Sequence, residues 1–164
     1  MILFFAQGEV DSDKFVLYCY SHYKNIMTSL GNELPEKVQI IRAEGKKPRF
    51  DTDEVHFNLS HSHGVIVVGI SYSPIGVDIE KVREIDFAKF KFIEAEDEQE
   101  FFEKWTERES YVKFTGEGIA SIRESLPTDK HFEHFDVFDD YHVCICTDEE
   151  QSVRAYCMDL NQIE

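Results

Sequence analysis

Two short segments of the chain concentrate side chains that can bind a cation and a phosphate. The first is Gly76-Val77-Asp78-Ile79-Glu80. On a β-strand, residues two apart project to the same face, so Asp78 and Glu80 point together while Val77 and Ile79 point into apolar packing. Two neighbouring carboxylates repel each other unless a cation lies between them, and hard divalent cations prefer oxygen ligands. This segment therefore predicts part of a metal site.

The second segment, residues 104–113, has helical spacing. Residues four apart share a helix face, so Glu109 and Lys113 lie one turn apart on the same side. If Glu109 meets Asp78 and Glu80, three carboxylates surround one metal ion, and Lys113 is placed to hold a phosphate beside it. An isolated Glu-x-x-x-Lys pair is usually a solvated ion pair, so the hypothesis depends on the two segments together.

A third candidate is a basic turn in an acidic chain. The 164 residues include 33 Asp and Glu against 17 Lys and Arg, a formal net charge of −16. Lys46, Lys47 and Arg49 nevertheless cluster around Pro48, and such a cluster predicts an anion site, although a solvated hairpin is the alternative. Duplex nucleic acid is a poor partner for the whole chain, because binding it requires a basic face.

The elements that must position these residues follow from periodicity and turn residues. The order is β-α-β-β-β-β-α-β-β-β, which indicates an α+β fold. We predict strands at 2–6, 38–43, 55–60, 65–72, 75–80, 132–138, 141–147 and 152–159, and helices at 13–30 and 96–115. Asp11 or Ser12 caps the first helix, Gly116 ends the second, and residues 87–93 form a short aromatic helix or turn.

Cysteine spacing and hydropathy limit the remaining possibilities. The spacing of Cys144 and Cys146 predicts core thiols on one face of a strand rather than a zinc site, and we read His131 and His134 as surface residues. The apolar start at 1–6 is too short for a signal peptide or a membrane span. We therefore expect a cytoplasmic protein with reduced thiols and no membrane partner. We also expect the protein to be a monomer.

Four segments of the chain, in order, resemble the motifs of one family. Gly76–Glu80 followed by Trp105-x-x-Arg108-Glu109-Ser110-x-x-Lys113 is similar to the signature pair of the 4'-phosphopantetheinyl transferase superfamily. Gly45-x-Lys47-Pro48 and Asn58-Leu59-Ser60-His61-Ser62 resemble two further motifs of its larger, surfactin-synthetase-activating class. The resemblance covers residues 45–118 and fades on either side.

The resemblance implies a fold and a reaction. The fold has two similar lobes with pseudo-twofold symmetry, each a small antiparallel sheet packed with a long helix, and coenzyme A lies in the cleft between them. We expect the lobes at 1–74 and 75–164. The reaction is the Mg²⁺-dependent transfer of 4'-phosphopantetheine from coenzyme A to a serine of an apo acyl, peptidyl or other carrier protein. Adenosine 3',5'-bisphosphate is released.

The resemblance also implies roles for individual residues. The magnesium ligands would be Asp78, Glu80 and Glu109. Coenzyme A would be held by Lys47, Ser60, His61 and Lys113, with Lys46 added from the basic turn. Lys113 and His61 would stabilise charge on the pyrophosphate, and Glu109 would accept the serine proton directly or through a water.

Two departures from the family pattern leave alternatives open. Arg108 stands where the family usually has Lys, and the chain is short for the two-lobed class. The alternatives are a catalytically impaired protein of the same fold that binds coenzyme A or a carrier protein, and a metal-binding scaffold without affinity for nucleotide.

Overall fold

The computed structural model describes residues 1–163 and contains two long helices and nine strands in this range. The helices are α1 (Ser12–Ser29) and α2 (Glu98–Thr115). The strands are β1 (Ile2–Gln7), β2 (Ile40–Ile41), β3 (Arg49–Phe50), β4 (His56–Ser62), β5 (Val65–Ser71), β6 (Gly76–Lys81), β7 (His131–Val137), β8 (Tyr141–Thr147) and β9 (Arg154–Cys157). Short 3-10 turns occupy Phe87–Lys89, Ile119–Arg123 and Leu160–Gln162. The predicted α+β class is confirmed.

The strands form two main sheets and one small ribbon. The first sheet has the order β4-β5-β1-β9, and the second has the order β6-β8-β7. All main pairings are antiparallel except β9, which runs parallel to β1 and so joins the first sheet from the C-terminal part of the chain. The elements β1-α1-β4-β5 and β6-α2-β7-β8 share one order, with the third strand in the middle. Pseudo-twofold symmetry and the division at residue 74 stay predictions.

Apolar residues alternate along the strands, so both faces of the first sheet are apolar. The two sheets pack against each other, and a helix packs on the outer face of each sheet. One face of the first sheet packs on α1 through a cluster that includes Phe4, Val68 and the α1 residue Phe15. Its other face packs on the second sheet, where Val67 and Val77 belong to one buried cluster. Because side chains alternate along β6, Asp78 and Glu80 point away from that cluster, toward the α2 side.

Caps and turns account for where these elements begin and end. The Asp11 side chain accepts the backbone N–H of Lys14 at the start of α1, as predicted, and Gly116 ends α2 in the left-handed conformation. His63 and Gly64 both have positive φ, 47° and 79°, which suits a two-residue hairpin between β4 and β5. This turn fixes the register that places Ser60 and Ser62 on the face of β4 that meets β6.

One predicted strand is much shorter than expected. The stretch predicted at 38–43 pairs only over Ile40–Ile41, because its partner β3 is also two residues long.

Cys144 and Cys146 are buried free thiols on β8, as predicted. Within the described residues, neither long helix is apolar enough to cross a lipid bilayer.

Candidate active site at the seam between the sheets

The candidate site is built around Asp78, a nearly fully buried carboxylate on β6. Its Oδ1 accepts hydrogen bonds from Ser60 Oγ at 2.8 Å and from Lys113 Nζ at 2.7 Å. Its Oδ2 is buried without a hydrogen-bond partner in the structure. Burial raises the pKa of Asp78, while the ammonium of Lys113 and the hydroxyl of Ser60 oppose that rise. An unpartnered buried carboxylate oxygen is costly, so this atom is a candidate ligand position.

Glu80 lies two residues after Asp78 on the same face of β6, and its carboxylate also accepts a hydrogen bond from a serine of β4. Its Oε2 accepts a hydrogen bond from Ser62 Oγ at 2.9 Å and lies 3.6 Å from the Arg83 guanidinium. Two serines of β4 therefore face two carboxylates of β6 across the seam between the sheets. Alternation along the two strands, with a period of two residues, produces this pairing.

Helix α2 supplies the third carboxylate and the cation. Lys113 Nζ donates to Ser60 Oγ at 2.7 Å as well as to Asp78, so one ammonium joins β4, β6 and α2. Glu109 lies one turn before it and is only partly exposed. Burial first, and then the charges of Asp78 and Glu80, raise the pKa of Glu109 to about 7, although Lys113 opposes this. The three predicted carboxylates thus interact electrostatically.

The chemistry of these side chains fits a hard divalent cation, but their present spacing is not that of a closed metal site. Within residues 1–163, no three His, Cys, Asp or Glu side chains are grouped closely enough to hold a metal ion together. Lys113 provides the positive charge that Asp78 contacts. Three mutually repelling carboxylates and the unpartnered Asp78 Oδ2 match the oxygen ligands that Mg²⁺ prefers. A shared magnesium ion stays a prediction.

Lys47 has a structural contact that the sequence did not predict. Its Nζ donates to the main-chain carbonyls of Lys113 and Phe114 at 3.2 and 3.0 Å. These are orphan carbonyls of the last turn of α2, where a cation also interacts favourably with the helix dipole. Burial lowers the pKa of Lys47. Lys46, by contrast, is exposed on the turn.

The structure separates Ser60 from His61. Ser60 faces Asp78, whereas His61 projects from the other face of β4 and is exposed. There it lines a second groove, of about 250 Å³, together with Gly8, Ser12 and Gly64. His61 therefore does not contact Asp78 or Lys113, and its predicted role would require a ligand that extends around the edge of β4.

Several residues that support the site were missed from the sequence. Asn58 is buried, and its Oδ1 accepts the backbone N–H of Val77 at 2.8 Å, which fixes β6 beside β4. The sequence carried a signal for Asn58, because Asn58, Ser60 and Ser62 occupy alternate positions of one strand and so share a face.

The prediction that His134 lies at the surface is wrong. His134 is half-buried, because its ring bonds to Glu107 of α2 and to His142 of β8 at 2.9 Å each.

Known proteins similar to this chain agree with the motif pattern. The chain matches no protein-family model. It is 38% identical over 109 residues to 4'-phosphopantetheinyl transferase gsp of Aneurinibacillus migulanus, which covers 58% of the chain and 46% of that protein. It is 34% identical over 102 residues to 4'-phosphopantetheinyl transferase psf-1 of Bacillus pumilus (53% and 44%), and 34% identical over 94 residues to 4'-phosphopantetheinyl transferase Sfp of Bacillus subtilis strain 168 (49% and 42%).

These matches cover only part of this chain and part of each relative. The chain spans less than half the length of these relatives, and the matched segment is about half of the chain itself. Their shared name and identity bear out the resemblance that the four motifs predicted. Over that segment, the chain is related to the Sfp-like class of the 4'-phosphopantetheinyl transferase superfamily.

Proposed function

We propose that this chain is a magnesium-dependent 4'-phosphopantetheinyl transferase that moves phosphopantetheine from coenzyme A to a serine of an apo carrier protein. The observation that carries the proposal is the meeting of Ser60, Asp78 and Lys113 from three elements distant in sequence. Each comes from a different motif, and Glu109 lies in electrostatic contact with the group. The relatives that share part of the sequence bear the name of this activity.

The chemistry required is positioning and charge neutralisation around a pyrophosphate. The serine oxygen forms a bond to the β-phosphorus of coenzyme A, and the bond from that phosphorus to the bridging oxygen breaks. The products are the phosphopantetheinyl serine and adenosine 3',5'-bisphosphate. The serine proton must leave, and Glu109 is the proposed acceptor, directly or through a water.

Each site residue then has a distinct task. Lys113 would exchange its contact with Asp78 for a phosphate oxygen, and Ser60 would donate a hydrogen bond at the same place. Asp78, Glu80 and Glu109 would hold magnesium, which when bound supplies positive charge to the pyrophosphate oxygens. Lys46, Lys47 and His61 are the remaining candidates for contacts to coenzyme A. Of these, Lys47 would have to be shared with the end of α2.

The test is incubation of the protein with coenzyme A, magnesium and several apo carrier proteins, followed by intact mass measurement. We expect each accepted carrier to gain the mass of one phosphopantetheine group. Asp78→Asn, Glu109→Gln and Lys113→Met should each abolish the gain while the far-ultraviolet circular dichroism stays unchanged. Glu103→Gln is the matched control, because Glu103 lies on the same helix and its carboxylate accepts a hydrogen bond from the Gln99 side chain, outside the candidate site.

Two results would contradict the proposal in different ways. Full activity of Asp78→Asn or Glu109→Gln would show that the metal ligands are assigned wrongly. Absence of a mass gain on every carrier, with tight binding of coenzyme A retained, would favour the catalytically impaired binding protein. Removal of magnesium with EDTA should stop the transfer and its return should restore it.

A further inference from the structure

The face of the second sheet that lies beneath α2 is polar. Residues paired across the strands share a face, and two rows of polar side chains therefore cross it: Asp78, Cys144 and His134, then Glu80, His142 and Asp136. The aromatic cluster that packs on α2 contacts the first half of the helix, through Phe101 and Phe102. Besides its close approach to Gly76, the second half of α2 therefore depends on polar contacts for its position.

These polar contacts hold α2 on two flanks. On the β6 flank, Lys113 Nζ donates to Asp78 Oδ1 at 2.7 Å. On the β7 flank, Glu107 Oε1 lies 2.9 Å from His134 Nε2. Residues 107 and 113 are six positions apart, which separates them by about 120° around the helix axis. Two contacts at this separation resist rotation of α2 about its own axis.

His134 is itself held by a chain of hydrogen bonds across the sheet. Its Nδ1 lies 2.9 Å from His142 Nε2, and His142 Nδ1 lies 2.8 Å from Asp136 Oδ1. An ionised carboxylate only accepts hydrogen bonds, so the two outer ring nitrogens, which face Glu107 and Asp136, carry protons. The two inner nitrogens then share a third proton, because two lone pairs facing each other would repel. Both nitrogens of His134 are thus bonded, and its ring is fixed.

The rotation of α2 controls where Glu109 points. A helix with its side chains is about 10–12 Å across, so a rotation of about 10° moves a side-chain end by about 1 Å. Lys113 has a long side chain that can stay on Asp78 while the helix turns. Glu109 has fewer rotatable bonds and follows the backbone. Loss of the contact on the β7 flank would therefore displace Glu109 more than Lys113.

We propose that His134 is a positioning residue of the transfer reaction: it holds Glu107, and thereby the rotation of α2 that directs Glu109 toward Asp78. The inference rests on the proposed function, in which Glu109 receives the serine proton. His134 acts through the helix and touches neither coenzyme A nor the carrier protein.

The test compares two amide substitutions of His134. The amide nitrogen of an asparagine replaces ring Nδ1, and that of a glutamine replaces Nε2. His134→Asn therefore keeps a donor toward His142 and loses Glu107, whereas His134→Gln keeps a donor toward Glu107 and loses His142. We expect His134→Asn to lower kcat roughly 10- to 100-fold, with both KM values unchanged, and His134→Gln to stay within about threefold of the wild type.

His131→Asn is the matched control for the same change on the same strand. The ring of His131 lies 3.3 Å from Glu133, on the opposite face of β7 from His134. It should match the wild type in every measurement. Glu107→Ala removes the contact from the helix side without weakening the helix itself, so it should reproduce the kcat loss of His134→Asn.

Two measurements do not depend on turnover. Amide hydrogen exchange in residues 107–113 should be faster in His134→Asn than in His134→Gln. Nuclear magnetic resonance of the wild-type protein with ¹⁵N-labelled histidine should show three slowly exchanging ring N–H protons from His134 and His142, one of them shared between the two rings. The ring protons of the exposed His61 should exchange faster.

Several results would overturn the proposal. It fails if His134→Asn and His134→Gln have the same kcat, or if the KM for coenzyme A rises as much as kcat falls. It also fails if the ring protons of His134 exchange as fast as those of His61. If the wild-type protein modifies no carrier, the proposed function fails separately. Equal amide exchange in the two His134 variants would then still refute the hold on α2, and faster exchange in His134→Asn alone would support it.

Discussion

Replacement of Gly76 by alanine should displace α2 from the second sheet. A Cβ atom at position 76 would lie 1.9 Å from the carbonyl oxygen of Ser110 and 2.5 Å from the backbone nitrogen of Phe114. Both atoms belong to the backbone of α2, so no side chain can rotate away to make room. The helix or β6 would have to retreat by about 1 Å or more, because interiors are packed at van der Waals contact.

The size of the effect follows from what that displacement changes. Overpacking of a core costs about 1–3 kcal/mol, and we expect Gly76→Ala at the upper end because the obstruction is main chain. Helix α2 also carries Glu109 and Lys113, and a misplacement of about 1 Å can cost roughly 100-fold in rate. Loss of activity should therefore exceed what the loss of folded protein explains.

Urea denaturation measures the first effect, and the initial rate of carrier modification at low temperature measures the second. Gly69→Ala is the matched control, because its Cβ would meet the methyl ends of the Ile75 and Val77 side chains at 2.7 and 2.8 Å. These ends can shift, so Gly69→Ala should lose less stability and much less activity. If Gly76→Ala is as stable and as active as Gly69→Ala, the inferred close approach of β6 and α2 is wrong.

Three further predictions concern the ends of α2 and one histidine. Lys47→Met should lower the free energy of unfolding by about 1–2 kcal/mol, because two terminal carbonyls of α2 lose a charged donor; urea denaturation measures this, and Lys47→Arg should restore part of it. Asp97→Ala should cost about 1 kcal/mol by removing the cap on the Glu100 N–H, whereas Asp97→Asn should cost much less; equal losses would contradict the cap. Burial, with a smaller effect of Lys47, lowers the pKa of His56 below its ordinary 6.5. The unfolded chain then binds the proton more readily, so stability should fall as the pH drops below that value, and His56→Gln should reduce this loss in urea titrations at several pH values.

Local features of the chain were predicted well from the sequence because their causes are local. Helix α1 was expected at 13–30 and occupies Ser12–Ser29, with Asp11 as its cap. Gly116 ends α2 as expected, because a glycine has no Cβ atom and adopts the left-handed conformation of a helix end without a clash. The strand predicted at 38–43 is shorter because a strand exists only as far as its partner does, and the partner was not recognisable in the sequence.

In the candidate site, too, local features were predicted from the sequence and contacts between distant residues were not. The types and spacing of Asp78, Glu80, Glu109 and Lys113 already predicted a cation and a phosphate, because residues on one strand or one helix face share a direction. The spacing could not show that Lys113 contacts Asp78 directly. It also could not show that His61 faces away from them.

The sequence by itself determined the two long helices, the strands of the two main sheets, their amphipathic faces and the chemical character of the site. Only the tertiary structure decided that Lys47 donates to the last carbonyls of α2 and that Arg108 contacts two distant segments. It also decided that burial, and then the carboxylates of Asp78 and Glu80 on β6, raise the pKa of Glu109. The physical reason is that a hydrogen bond or a charge interaction acts over a few ångströms in space. Which residues come within that distance depends on how the sheets and helices pack, and residues far apart along the chain carry no local pattern that encodes it.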